Sequence, residues 1–156
     1  MERREFIALL GLAAAAMPTP VRADPTRPAD SFAGRIVGTW SFASSVNMRK
    51  DGSNFDRWGA NPRGIFMFDR GGHYAQVIIG SESRVFGAKT YSAFGTYAVD
   101  EAKKTFTTQI EACSVAKFSG TVQNRDIILL TADELKYWNP VTASGTTAEV
   151  LWKRVT

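Results

Sequence analysis

The chain has 156 residues, a formal net charge of +4, 44% hydrophobic and 22% charged residues, the size of one domain and the composition of a folded one rather than a disordered one. Its lysines and arginines are scattered singly or in pairs with no stripe, which argues against nucleic-acid binding and makes the basic balance a solubility property. The lone cysteine, Cys113, excludes an intrachain disulfide framework.

Taken in chain order, the first segment is Met1-Glu2-Arg3-Arg4-Glu5-Phe6-Ile7, followed by an alanine-rich apolar run from Ala8 to Met17 and the small-residue site Val21-Arg22-Ala23. A charged start, a short apolar core and a small residue before the cut predict a signal peptide over residues 1–23. The run is too short to span a bilayer, so no integral membrane segment is expected in the mature form. Arg3 and Arg4 ahead of Phe6 resemble the twin-arginine export signal, which implies the twin-arginine export machinery as a partner and a periplasmic destination. That route carries folded cargo out of a reducing cytoplasm, so the fold should not need disulfides, and Cys113 reads as a small buried filler.

Residues 24–33 read as a proline-rich, flexible tether and 34–156 as the folded domain. Asp30 or Ser31 is placed to cap a short helical turn over Phe32 to Val37, with Phe32 and Ile36 one turn apart. Beyond Gly38 the helical period disappears. Eight strand-like runs follow: Trp40–Met48, Gly64–Asp69, His73–Ile79, Thr90–Val99, Lys104–Ala112, Lys117–Gln123, Asp126–Thr131 and Thr147–Val155. Arg70-Gly71-Gly72 reads as a tight hairpin and Asn124-Arg125 as a turn, while Trp138-Asn139-Pro140 falls in a loop. Sequential short hairpins without a protected edge predict an all-β domain closed into an eight-stranded antiparallel up-and-down barrel, with an open sandwich as the competitor.

Four stretches then form an ordered set. They are Ile36-Val37-Gly38-Thr39-Trp40, Asn61-Pro62-Arg63-Gly64-Ile65-Phe66-Met67-Phe68 with Gly72-His73-Tyr74-Ala75-Gln76, Ala93-Phe94-Gly95-Thr96-Tyr97-Ala98-Val99-Asp100, and Val150-Leu151-Trp152-Lys153-Arg154-Val155. Together they resemble the bacterial and fungal lipocalin-like domain family over residues 34 to 155, and Gly38-Thr39-Trp40 matches the Gly-x-Trp signature of lipocalins. The resemblance implies a calycin-type barrel in which the first-strand tryptophan, here Trp40, sits at the closed end under an arginine of the last strand, here Arg154. That pair is a structural closure.

Alternation from Trp40 predicts Phe42, Ser44 and Val46 as inward-facing, with Tyr74, Gln76 and Ile78 on one face, and Gly95, Tyr97 and Val99 on another. For Lys104–Ala112 either Phe106, Thr108, Ile110 and Ala112 or the alternate set faces the interior. The expected site is an apolar cup with a few polar posts. Its ligand-binding candidates are Tyr74, Gln76, Tyr97 and Trp58, with Arg84 and Trp138 at the rim. His73 reads as a solvated turn histidine. One histidine and one cysteine make no metal site, no catalytic residue is assigned, and no cofactor is implied. The function expected is binding or carriage of a small, mainly apolar molecule by a monomeric domain. The alternatives are an isomerase, cyclase or lyase acting in the cavity, and a protein-interaction module with a filled barrel.

Overall fold

A computed structural model describes residues 28–81, 90–142 and 145–156. The expected leader, residues 24–27 of the tether, and Arg84 lie outside the described residues.

The described chain opens with a turn and the short helix α1 (Phe32–Ile36). Ser31 is its cap, its hydroxyl accepting the Gly34 N–H at 3.0 Å. Residues 28–33, read from sequence as tether, are thus a turn and a helix start, and Ala33 is buried. Nine strands follow: β1 (Gly38–Met48), β2 (Asn54–Phe55), β3 (Arg63–Phe68), β4 (His73–Ile79), β5 (Thr90–Asp100), β6 (Thr105–Cys113), β7 (Val122–Leu130), β8 (Glu134–Asn139) and β9 (Thr147–Arg154). The two-residue β2 only extends β1 at one end. The other eight pair antiparallel in sequence order, and β1 pairs with β9, so the sheet closes into an eight-stranded up-and-down barrel.

The strand boundaries correct the sequence reading in its second half. Asn124-Arg125 is not a turn: Val122 to Leu130 is one continuous strand. Its predecessor, Ala116–Phe118, is a single 3₁₀ turn rather than the start of a strand. The missing stave is Glu134–Asn139, assigned from sequence to a loop. Two errors of opposite sign therefore left the expected number of staves right.

One end of the barrel is packed solid. Phe66, Phe106, Trp40 and Trp152 are essentially inaccessible, and Phe66 meets Phe68, Tyr74, Phe106 and Trp152 with ring centroids 4.1 to 6.3 Å apart. The α1 helix lies over this end and buries Ile36 completely. The Trp40 indole N–H donates to the Ile36 carbonyl at 2.9 Å. Arg154 stacks over the Trp40 ring at 4.0 Å from its centroid. Its guanidinium donates to the carbonyls of Val37 (2.9 Å), Arg35 (2.5 Å) and Ala132. First strand, last strand, α1 and the β7–β8 turn are thereby joined by one side chain. Gly38 makes the approach possible: its φ is +134°, and a Cβ there would collide with the Arg154 guanidinium.

Candidate functional site

The opposite end, where β3 begins and β4 ends, is not filled. A bulge sets its lining. Phe42 pairs with Trp152 and Ser44 with Leu151, leaving Ala43 as the extra residue. One added residue reverses the alternation, so Ser45 and Asn47 turn inward, whereas Ser44 and Val46 are exposed. The inward assignment of Ser44 and Val46 is thereby corrected; that of Tyr74, Gln76 and Ile78 agrees with the structure, and of the two faces left open in Lys104–Ala112 the one carrying Phe106, Thr108 and Ile110 is buried.

The resulting cup has apolar walls of Phe42, Trp58, Ile78, Phe118, Val141 and Val150, and polar groups from Ser45, Asn47, Arg57, Gln76, Tyr91, Gln123, Arg125, Tyr137, Asn139 and Thr142. The inner space that admits a water-sized sphere is about 50 Å³, and the space between atoms counted out through the mouth to solvent is about 500 Å³. A recess of the first size holds water or a few heavy atoms. Any larger ligand must lie partly in the mouth.

Tyr137 is the hub of the cup floor. Its hydroxyl accepts the Trp152 indole N–H at 3.3 Å, and Gln76 and Arg125 line the same cup beside it. Burial, the largest effect, pushes its phenol well above the ordinary range, as it does for Tyr91. Tyr74, bonded to Thr108 just below, is pushed up to about 12 by the same cause. All three phenols are neutral hydrogen-bonding groups at physiological pH.

Arg125 is 7% exposed. Its guanidinium donates to the Asn124 carbonyl at 2.9 Å and to the Gln123 carboxamide oxygen, and lies 6.0 Å from the centre of the Tyr137 ring. Arg57 reaches the cup from the segment after β2 and stacks on Trp58 at 4.8 Å. Burial lowers its affinity for a proton, although it stays charged. Among the described residues neither arginine is ion-paired. The carboxylates nearest in sequence face elsewhere: Asp56 accepts the backbone N–H groups of Trp58 and Gly59, Asp126 is exposed, and Glu149 pairs with Lys136 at 2.5 Å. The buried side-chain oxygen of Asn139, at the end of β8, has no hydrogen-bond partner among the described residues.

Of the residues proposed from sequence, Gln76 and Trp58 are brought together in the cup. Tyr74 is buried one layer deeper. Tyr97 belongs to the packed end, where its hydroxyl donates to the Asp69 carbonyl at 2.7 Å and its ring stands against Phe68. Trp138 pairs with Asp126 and Glu149 on the face of β8 opposite Tyr137, outside the cup. His73 is exposed and 3.1 Å from Asp69. Cys113 is half-buried rather than a fully enclosed filler. No group of three or more metal-ligating side chains occurs among the described residues. Sequence reasoning missed Arg57, Tyr91, Gln123, Arg125, Tyr137 and Asn139. The signal for four of them was present, because Gln123-x-Arg125-x-Ile127 and Leu135-x-Tyr137-x-Asn139 keep strand alternation.

No protein-family model matches the sequence, and no curated protein matches it. Among solved structures, the chain is similar to a redesigned β-barrel at 16% identity, with a TM-score of 0.48 over 80% of this chain and 95% of that one. It is also similar to a lipocalin-like protein from Bacteroides uniformis at 11% identity, with a TM-score of 0.49 over 78% and 100%. A de novo designed fluorescence-activating β-barrel is similar at 15% identity, with a TM-score of 0.44 over 76% and 93%. The barrel architecture of this chain stands on its own strand pairing, closed by β1 against β9.

Proposed function

We propose that this barrel binds a small, mainly apolar molecule in the cup at its open end, and that it does so in the periplasm after export through the twin-arginine route. The observation that carries the binding reading is the contrast in filling. One end of the interior is close-packed aromatic core, while the other holds a recess whose buried polar groups include the Asn139 oxygen, without a partner among the described residues. A buried polar atom without a partner costs stability, which a purely structural core avoids. The export reading is supported by the sequence of residues 1–23.

The enzyme alternative calls for a group that titrates near neutral pH. In the cup the phenols of Tyr91 and Tyr137 are shifted away from neutrality, which favours binding over acid–base chemistry.

The test is titration of the purified protein with 1-aminoanthracene, a neutral aromatic probe, followed by quenching of tryptophan emission. Trp58 lines the cup, so saturable quenching that is reduced in Trp58→Phe is expected. Absence of saturable binding overturns the reading. For export, Arg3→Lys with Arg4→Lys should hold the uncleaved chain in the cytoplasm, and unchanged processing would refute that route.

A further inference from the structure

We infer that the cup selects an anion, and that its ligand is a small aromatic or aliphatic carboxylate whose head group docks on Arg125 and Arg57. The inference rests on the binding reading above and names the chemistry of that ligand.

Two guanidinium groups reach one recess, and among the described residues no carboxylate pairs with either. Arg125 is almost wholly buried. A buried cation is costly unless an opposite charge or a full set of hydrogen bonds offsets the lost hydration. The partners of Arg125 are neutral: a backbone carbonyl, the Gln123 carboxamide and the Tyr137 ring. A guanidinium has five N–H donors in a planar fork, matched to the two oxygens of a carboxylate. An incoming carboxylate would supply the missing negative charge and take up donors these neutral groups do not use.

The rest of the recess fits such a head group. The phenol of Tyr91, kept neutral by burial, lines the same recess. The carboxamide of Asn139, whose oxygen has no partner among the described residues, would present its NH₂ to an anion after an amide rotation. The inner space of about 50 Å³ accommodates a carboxylate and its first carbon, not a long chain. The mouth walls of Phe42, Trp58 and Phe118 are apolar and aromatic, so the body of the acid would lie between them. Arg57, stacked on Trp58 at 4.8 Å, stands beside that path and adds attraction on entry.

The decisive experiment compares 2-naphthoate with 2-naphthamide, its neutral isostere, by isothermal titration calorimetry on the same protein. Inorganic phosphate and 1-aminoanthracene serve as further probes. Naphthoate is expected to bind at least about tenfold tighter than naphthamide, the size of one charge-assisted hydrogen-bonded contact. Arg125→Met should erase that preference by weakening naphthoate more than naphthamide. Arg57→Gln should reduce it by a smaller factor, and it serves if Arg125→Met fails to fold. Equal affinity for acid and amide would overturn the inference. So would phosphate binding without naphthoate binding, which would mark a site for an inorganic anion. If neither naphthalene binds but 1-aminoanthracene does, the carboxylate is wrong and the cup stands. If nothing binds, both readings fail.

Discussion

The two ends of the barrel use the same residue for opposite purposes. At the closed end Arg154 is spent on the protein itself, with its face on Trp40 and its N–H groups on the carbonyls of Ala132, Val37 and Arg35. At the open end Arg125 is more buried, yet among the described residues it meets only neutral partners, within its own strand and at the Tyr137 ring. An arginine that bridges four chain segments is a structural fastening. One held in a recess beside a second arginine, neither of them ion-paired among the described residues, is on the proposed reading free to meet a ligand. The difference shows that burial of a charge alone does not mark a site; what its donors touch decides the matter.

Breaking the closed end should have the largest effect on stability. Trp40→Ala removes a completely buried indole and its bond to Ile36, and a loss of about 3–5 kcal/mol is expected in urea unfolding. Arg154→Met keeps the length of the side chain but leaves three carbonyls without their donor, for a loss of about 2 kcal/mol. Both variants, where folded, should retain the preference for carboxylate over amide. A closed-end variant that unfolds at the same denaturant concentration as the parent would break the contrast drawn here.

Gly95 tests the wall between the two ends. It sits where the β5–β6 register shifts between Phe94 and Gly95, and a Cβ there would run into the Gln109 carbonyl oxygen of the neighbouring strand. Gly95→Ala forces the strands apart at the bulge. A loss of about 2 kcal/mol is expected, with naphthoate binding weakened only as far as the cup widens.

How far this contrast could be read from sequence differs between the ends. The closed end was legible because its residues repeat a known pattern, Gly38-Thr39-Trp40 and the Arg154 that answers it. The open end was not, for two physical reasons. Ala43 bulges, and a bulge leaves no trace in an alternating pattern, so Ser45 and Asn47 could not be told from outward residues. In β7, the polar pair Asn124-Arg125 mimics a turn, although Arg125 alternates correctly with Gln123 and Ile127. The same bias hid β8: Leu135 and Tyr137 alternate with Glu134, Lys136 and Trp138, but the following Asn139-Pro140 reads as a loop. A polar residue facing a cavity and a polar residue in a turn look alike until the strand pairing is known.

Arg125→Met sharpens the comparison from the side of stability. Removing a buried charge that has no opposite charge beside it among the described residues relieves its desolvation while giving up neutral hydrogen bonds. The unfolding free energy should therefore stay within about 1 kcal/mol of the parent. Equal and large losses for Arg125→Met and Arg154→Met would mean that both arginines are fastenings, and the contrast between the ends would collapse.

The smallest effect at neutral pH, and the one confined to strong alkali, comes from the phenols. The chain has four tyrosines. Burial pushes Tyr74 from 10.0 to about 12 and pushes Tyr91 and Tyr137 up as well. For an acid with a raised value in the folded state, the neutral form is the one the fold favours. The associated stability is thus complete below pH 10 and drains away as the pH rises through about 12 for Tyr74, with Tyr91 and Tyr137 shifted in the same direction. Ultraviolet titration of tyrosinate should show these phenols resisting ionisation until the barrel opens, in one cooperative step with loss of the strand signal in circular dichroism. Bound naphthoate should move that step to higher pH, because an anion beside Tyr91 and Tyr137 raises the cost of a second negative charge in the cup. A neutral ligand of equal affinity should move it less, and an equal movement by both would count against charge recognition at the open end.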